Sequence, residues 1–167
     1  MRKKSKARWI TEVGVIAAMY AVLTLVLAPI SFGQVQFRVA EALMILPFFT
    51  VSAIPGLFIG CLIANILGSS FGLLDIVAGS LATLAAAAIA SKIKIRWLVP
   101  LPTVLVNAFV VAYILYAMAG LPYWVSAAWV GLGEAVTCYV LGMPLLLVLD
   151  RYKSRIFMQI PDQIGKK

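Results

Sequence analysis

Residues 33–43, GQVQFRVAEAL, place two glutamines, an arginine and a glutamate between two segments apolar enough to sit in lipid. What surrounds them decides the fold. The 167 residues are 63% apolar and only 12% charged, with a mean hydropathy of +1.05. That lies outside the range of soluble domains and implies an all-α integral membrane protein. Apolar runs occupy residues 9–30, 40–53, 55–68, 73–91, 97–119 and 124–149. Four of the six have, or nearly have, the roughly 20 residues that a 30 Å hydrocarbon layer asks of a helix. The second and third are shorter. They are expected either as short, tilted helices shielded by their neighbours or as one broken re-entrant unit, with a tight connection at Ala53, Ile54, Pro55 and Gly56.

The net charge of +8 is a topology signal rather than a nucleic-acid footprint. Arg2, Lys3, Lys4, Lys6 and Arg8 precede the first run, Lys92, Lys94 and Arg96 separate the fourth from the fifth, and Arg151, Lys153, Arg155, Lys166 and Lys167 follow the sixth. With six spans these clusters fall on one side, the cytoplasm by the positive-inside rule. The expectation is one membrane domain over 1–167, with a basic cytoplasmic segment at 1–8 and a cytoplasmic tail at 151–167, in the cell membrane. The first apolar run is too long for a signal peptide and is expected to remain as the first helix.

Composition also excludes chemistry. The chain has no histidine, the commonest metal ligand and general acid/base, so no metal or cofactor is expected and an intramembrane enzyme is the least favoured class. Cys61 and Cys138 lie inside apolar runs without metal-ligand spacing and read as packing residues. No phosphate-binding loop is present, so the chain cannot drive transport with an ATPase of its own.

All three expected outer connections, 31–39, 68–74 and 120–123, are short, so a ligand must bind within the bundle. Trp9, Trp97, Tyr123 and Trp124 fit interfacial aromatic belts. Gly56, Gly60, Ala64 and Gly68 recur every fourth residue and give the third run a smooth face for close packing inside the bundle. In the first run Gly14 and Ala18, and Ala17 and Ala21, are also four apart, which suits either internal packing or a docking face for another membrane protein.

Ionisable groups at membrane depth are functional candidates by default. Glu134 and Asn107 sit near mid-depth, and Asp75 and Asn65 lie toward the outer side. Arg38 is the one basic residue of the fourteen assigned to the outer side. In a helical turn it shares a face with Glu41, and either the two satisfy each other or Gln36, Arg38 and Glu41 supply donors and acceptors over a pocket mouth.

Residues 34–49, QVQFRVAEALMILPFF, resemble the signature of the queuosine-precursor transporter (QueT) family, substrate-binding S components of energy-coupling factor (ECF) transporters. The likeness extends in character over nearly the whole chain. It implies a six-transmembrane-helix bundle of the ECF S-component type with both termini cytoplasmic. That bundle would capture a 7-deazaguanine such as preQ1, preQ0 or queuine from outside, with a transmembrane coupling protein and two cytoplasmic ATPases as partners. It further implies that Ala17 and Ala21, with Ala18 nearby, match an Ala-x-x-x-Ala docking motif. The base edge of a deazaguanine offers an N–H and an amino group to a carboxylate and a carbonyl to an amide or guanidinium. Glu134 or Glu41 can fill the first role and Asn107, Gln36 or Arg38 the second. An aminomethyl cation would favour Asp75, and Phe37, Trp129 or Tyr113 can stack on the ring. The alternatives are an S component for riboflavin, thiamine or a folate-like vitamin, and a membrane scaffold whose polar groups only hold helices together.

Overall fold

The computed structural model describes residues 5–32 and 37–156, with side chains through residue 153. Gln34 and Gln36 lie outside the described residues. Among those described there is no strand, and six helices of ten residues or more are joined by short connections. The first, α1, spans Lys6–Val26 and is followed by a single turn at Ala28–Ser31. Its start is fixed by Ser5, whose hydroxyl accepts from the Arg8 N–H at 3.3 Å and so satisfies one of the first-turn donors. Helix α2, Val39–Phe48, is wound as a 3-10 helix, and α3 spans Ala53–Gly68. Helix α4 spans Gly72–Ala90 and contains a π-helical turn at Asp75–Gly79. Helix α5, Leu101–Ala119, ends at Gly120, whose positive φ of 65° lets its N–H return to the Tyr116 carbonyl. Helix α6 runs from Tyr123 through a π-helical stretch, Val136–Gly142, into Met143–Ile156.

Four helices are long and apolar enough to cross a membrane: α1, α4, α5 with the turn before it, and α6. The two shorter ones are separate helices rather than a single broken unit. The connection expected at residues 53–56 falls earlier, at 49–52, because Pro55 is the third residue of α3, where its missing N–H leaves no intrahelical bond unmade.

Helix α2 is the centre of the bundle. Residues 40–47 are all buried, and α1, α3, α4 and α6 pack around them. At about 2.0 Å per residue its ten residues reach about 20 Å. A helix apolar on every side must be enclosed by others, and this one is. The enclosure depends on small residues. A Cβ added at Gly60 would lie 2.7 Å from both the Ala17 carbonyl oxygen and Tyr20 Cβ, and one at Gly56 would lie 2.9 Å from Ile16 Cβ. The glycine face of α3 therefore packs inside the bundle, directly on the backbone of α1.

The alternation of directions gathers Lys6, Arg8, Lys92, Lys94, Arg96, Arg151 and Lys153 at one end, called here the basic end. Polar ties cross it. Arg96 pairs with Asp150 at 2.8 Å, and Ser52 donates to Glu12 Oε2 at 2.7 Å. Arg38 is at the opposite end.

These contacts predict an asymmetry between two glycines. Gly60→Ala should cost about 1–3 kcal/mol through overpacking, whereas Gly14→Ala should be neutral because a Cβ there meets nothing within 4 Å. Thermal unfolding of the two purified variants in detergent checks this. Equal midpoints would show that α3 does not depend on close approach to α1.

Candidate functional site

The polar residues of the bundle converge between the six helices. Arg38 precedes α2 and is buried, with 3% of its side chain exposed. Its Nη2 donates to Asn65 Oδ1 at 3.1 Å and its Nε to the Ser31 carbonyl at 3.4 Å. Its guanidinium lies 5.0 Å from the centre of the Phe32 ring. Its ion-pair partner is Asp75, at 3.9 Å. Of the two alternatives their spacing left open, the direct pairing of Arg38 with Glu41 does not form. Arg38 caps the 3-10 helix in an extended conformation, which turns its side chain toward α3 and α4, while Glu41 accepts a short hydrogen bond from the Tyr20 hydroxyl of α1.

Asp75 opens the π-helical turn of α4. Its Oδ2 accepts from the Ser69 hydroxyl at 2.5 Å, and its carbonyl accepts from Asn65 Nδ2 at 3.2 Å. Gly79 gives the other oxygen its room, since a Cβ there would stand 2.8 Å from Asp75 Oδ1. Thr83 donates either to the Gly79 carbonyl at 3.2 Å or to Cys61 Sγ at 3.3 Å.

A second chain of contacts joins α5, α6 and α2. Asn107 Nδ2 donates to Glu134 Oε1 at 2.9 Å. Cys138, one turn beyond Glu134, directs its thiol toward Glu134 Oε2 at 3.8 Å and the Glu41 carbonyl at 3.6 Å. Glu41, Asp75 and Glu134 are each at most 1% exposed. Three carboxyl groups and one guanidinium, that of Arg38, are thus buried in this interior. Two of the carboxyl oxygens, Glu41 Oε2 and Asp75 Oδ1, have no hydrogen-bond partner among the described residues, although buried polar atoms are ordinarily paired.

Of the residues expected from the sequence, Arg38, Glu41, Asp75, Asn107 and Glu134 are brought together, and Asn65 joins them. Gln36 falls outside the described residues. Phe37 is partly exposed beside Arg38, its N–H bonded to the Ile30 carbonyl. Trp129 does not reach the interior: it is 51% exposed, off the face of α6 that buries Ser126, Ala127, Val130, Gly133 and Glu134. Tyr113 likewise points outward from α5. Ala17 and Ala21 are buried on the side of α1 that meets α3, and Ala18 is exposed. The three alanines expected to dock a partner are thus divided between the two sides of α1.

Sequence reasoning missed Tyr20 and gave Cys61 and Cys138 only a packing role. Tyr20 carried a signal. It lies fourteen residues into α1, about 21 Å from its start, far from either aromatic belt. A tyrosine at such depth needs a partner for its hydroxyl.

A family described as QueT transporter matches residues 10–151. The Queuosine precursor transporter QueT of Lactococcus lactis subsp. cremoris (strain MG1363) is 43% identical over 84 residues, a match covering 49% of this chain and 48% of that protein. The match thus spans about half the length of the curated relative. No solved structure matches the chain. The family match covers most of the residues, including every helix that brings a side chain to the polar interior, and with four long apolar helices around that interior the chain is a multi-pass membrane protein of the QueT transporter family.

Proposed function

We propose that this chain is the substrate-binding S component of an ECF importer and that it captures a queuosine precursor, a 7-deazaguanine, from outside the cell. In this reading all six helices traverse the membrane of the cell with both termini in the cytoplasm. The basic end then faces inward and Arg38 and Asp75 lie toward the outer side.

The observation that carries the reading is the surplus of buried carboxyl groups, two of whose oxygens are unpartnered among the described residues. A scaffold would have no use for orphaned acceptors, whose burial costs about 1–3 kcal/mol each. A folate-like anion would be repelled. A deazaguanine bearing an aminomethyl cation supplies what is missing: an N–H and an amino group along the base edge for Glu41 and Glu134, and an ammonium for Asp75. Asn107 holds Glu134 ready by fixing one oxygen. Arg38 balances part of the negative charge and keeps Asp75 in place.

Energy would come from a transmembrane coupling protein and two cytoplasmic ATPases. The exposed side of α1 is the docking face in this proposal. Gly14 and Ala18 lie there four residues apart, and a Cβ at Gly14 meets nothing of this chain, so another helix can approach closely.

Purified protein titrated with the aminomethyl, cyano and unsubstituted deazaguanines, queuine and riboflavin tests the ligand. The aminomethyl compound should bind tightest. Asp75→Asn should weaken it by about tenfold or more and leave the cyano compound little changed. Glu134→Gln should cost every deazaguanine roughly 1.5 to 3 kcal/mol. Absence of binding by every deazaguanine would refute the reading.

Docking is tested separately. Ala18→Leu should abolish uptake by the reconstituted complex while ligand affinity of the isolated chain persists. Ala21→Leu, buried against α3, should instead lower thermal stability. Normal uptake with Ala18→Leu would move the docking face elsewhere.

A further inference from the structure

Near the basic end, α1 and α6 both pack against α2 and leave between them a groove of about 580 Å3. It is lined by Val15 and Met19 of α1, Leu46 of α2 and Leu149 of α6, with Arg8, Glu12 and Thr50 among its polar residues toward the basic end. Val15 and Met19 are about half exposed, so the groove opens sideways, where the lipid lies if α1 and α6 cross the bilayer. None of these residues belongs to the polar interior.

We infer that this groove is a binding site for one acyl chain of an anionic phospholipid, with the phosphate at Arg8. Length is the first argument. From Arg8 to Met19 is eleven residues, about 16 Å at 1.5 Å per residue, close to half of a hydrocarbon layer of about 30 Å. The groove is thus one leaflet long. Volume is the second. At about 580 Å3 the groove falls in the roughly 300–1,000 Å3 range of sites that take a small ligand, the size class of one unbranched chain.

Polarity is the third argument. The lining is largely apolar, with polar residues toward the basic end, the pattern of an amphiphile with its head at the membrane surface. Lys6 lies two residues before Arg8 at the start of α1, and Arg151 and Lys153 follow Leu149 in α6 at the same end, so that end attracts an anionic headgroup. Arg8 bonds Glu12 at 3.2 Å, but Glu12 also accepts from Ser52 at 2.7 Å and Thr50 at 3.2 Å. Glu12 therefore keeps these two donors where a phosphate competes for Arg8.

The test needs no transport substrate. The full chain in neutral detergent is incubated with phosphatidylglycerol carrying a photoreactive group near the end of one acyl chain, irradiated, and its peptides mapped. Adducts should concentrate on Val15 and Met19, about tenfold above those on Leu105, a comparably exposed residue of α5. Val15→Trp, which fills the groove, should remove them, and Leu105→Trp should not. Diacylglycerol with the same photoreactive chain, lacking phosphate, should label about tenfold less. Adducts spread evenly over the outward surface, or equal labelling by diacylglycerol, would overturn the inference, and the unsubstituted chain decides this even if Val15→Trp misfolds. In cells, a photoreactive residue at position 19 should acquire a lipid mass; a captured polypeptide in its place would assign the groove to a protein partner and overturn the lipid site.

Discussion

A guanidinium sealed inside an apolar bundle must be balanced where it stands, and Arg38 imposes that requirement on its neighbours. Taking it out of water costs several kcal/mol even after relaxation. Asp75 at 3.9 Å, Asn65 at 3.1 Å and the Ser31 carbonyl offset this cost. These partners come from α3, α4 and the turn after α1, so three separate parts of the chain are fixed relative to the start of α2. Removing one member of such a buried pair typically costs about 3–5 kcal/mol, because the other is left uncompensated. The same contact that organises the far end of the bundle therefore also holds the Asp75 carboxylate in place, with one oxygen bound and the other unpartnered among the described residues.

The short central helix creates a second constraint. Being buried on all sides, α2 can be enclosed only if the outer helices come close, and a long helix with ordinary side chains would hold its neighbour 8–10 Å away. Gly56 and Gly60 remove that separation between α3 and α1. Gly142 does the same on the other side, where a Cβ would stand 3.3 Å from the Ala42 carbonyl oxygen. Two π-helical turns complete the fit, at Asp75–Gly79 and Val136–Gly142. Each falls beside a carboxyl group of the site, in keeping with the frequency of such turns at functional positions.

Much of this was legible in the sequence because it rests on composition and spacing. The long apolar runs, the gathering of basic residues and the glycine period of α3 follow from what lipid and close packing demand. Arg38, Glu41, Asp75, Asn107 and Glu134 could be singled out because each is an expensive residue in an apolar context. What could not be read was direction. In water a helix shows its buried face by polarity, but both faces of α1 and α6 are apolar, so nothing in their composition says that Ala17 faces inward and Ala18 outward, or that Trp129 turns away from Glu134. The pairing of Arg38 failed for a related reason. Spacing three apart implies a shared face only if the arginine is inside the helix, and here it is the extended residue before the first turn. The lateral groove is likewise a matter of three helices diverging, which no local pattern records.

Helix α1 ties the interior to the surroundings. Its buried side meets α3 through Ala17 and Ala21 and reaches Glu41 through Tyr20, while its outward side carries Gly14, Val15, Ala18 and Met19. A change at Glu41, such as a ligand donor taking its free oxygen, bears on the Tyr20 hydroxyl and so on the seat of α1 against α3. That seat has little slack, since even a Cβ at Gly60 would lie 2.7 Å from the Ala17 carbonyl oxygen, and a displacement there moves the helix as a body. Any partner or lipid resting on the outward side would feel such a movement, and by reciprocity would alter ligand affinity by the same free energy. The physical basis for coupling is a single rigid helix whose two faces serve different contacts.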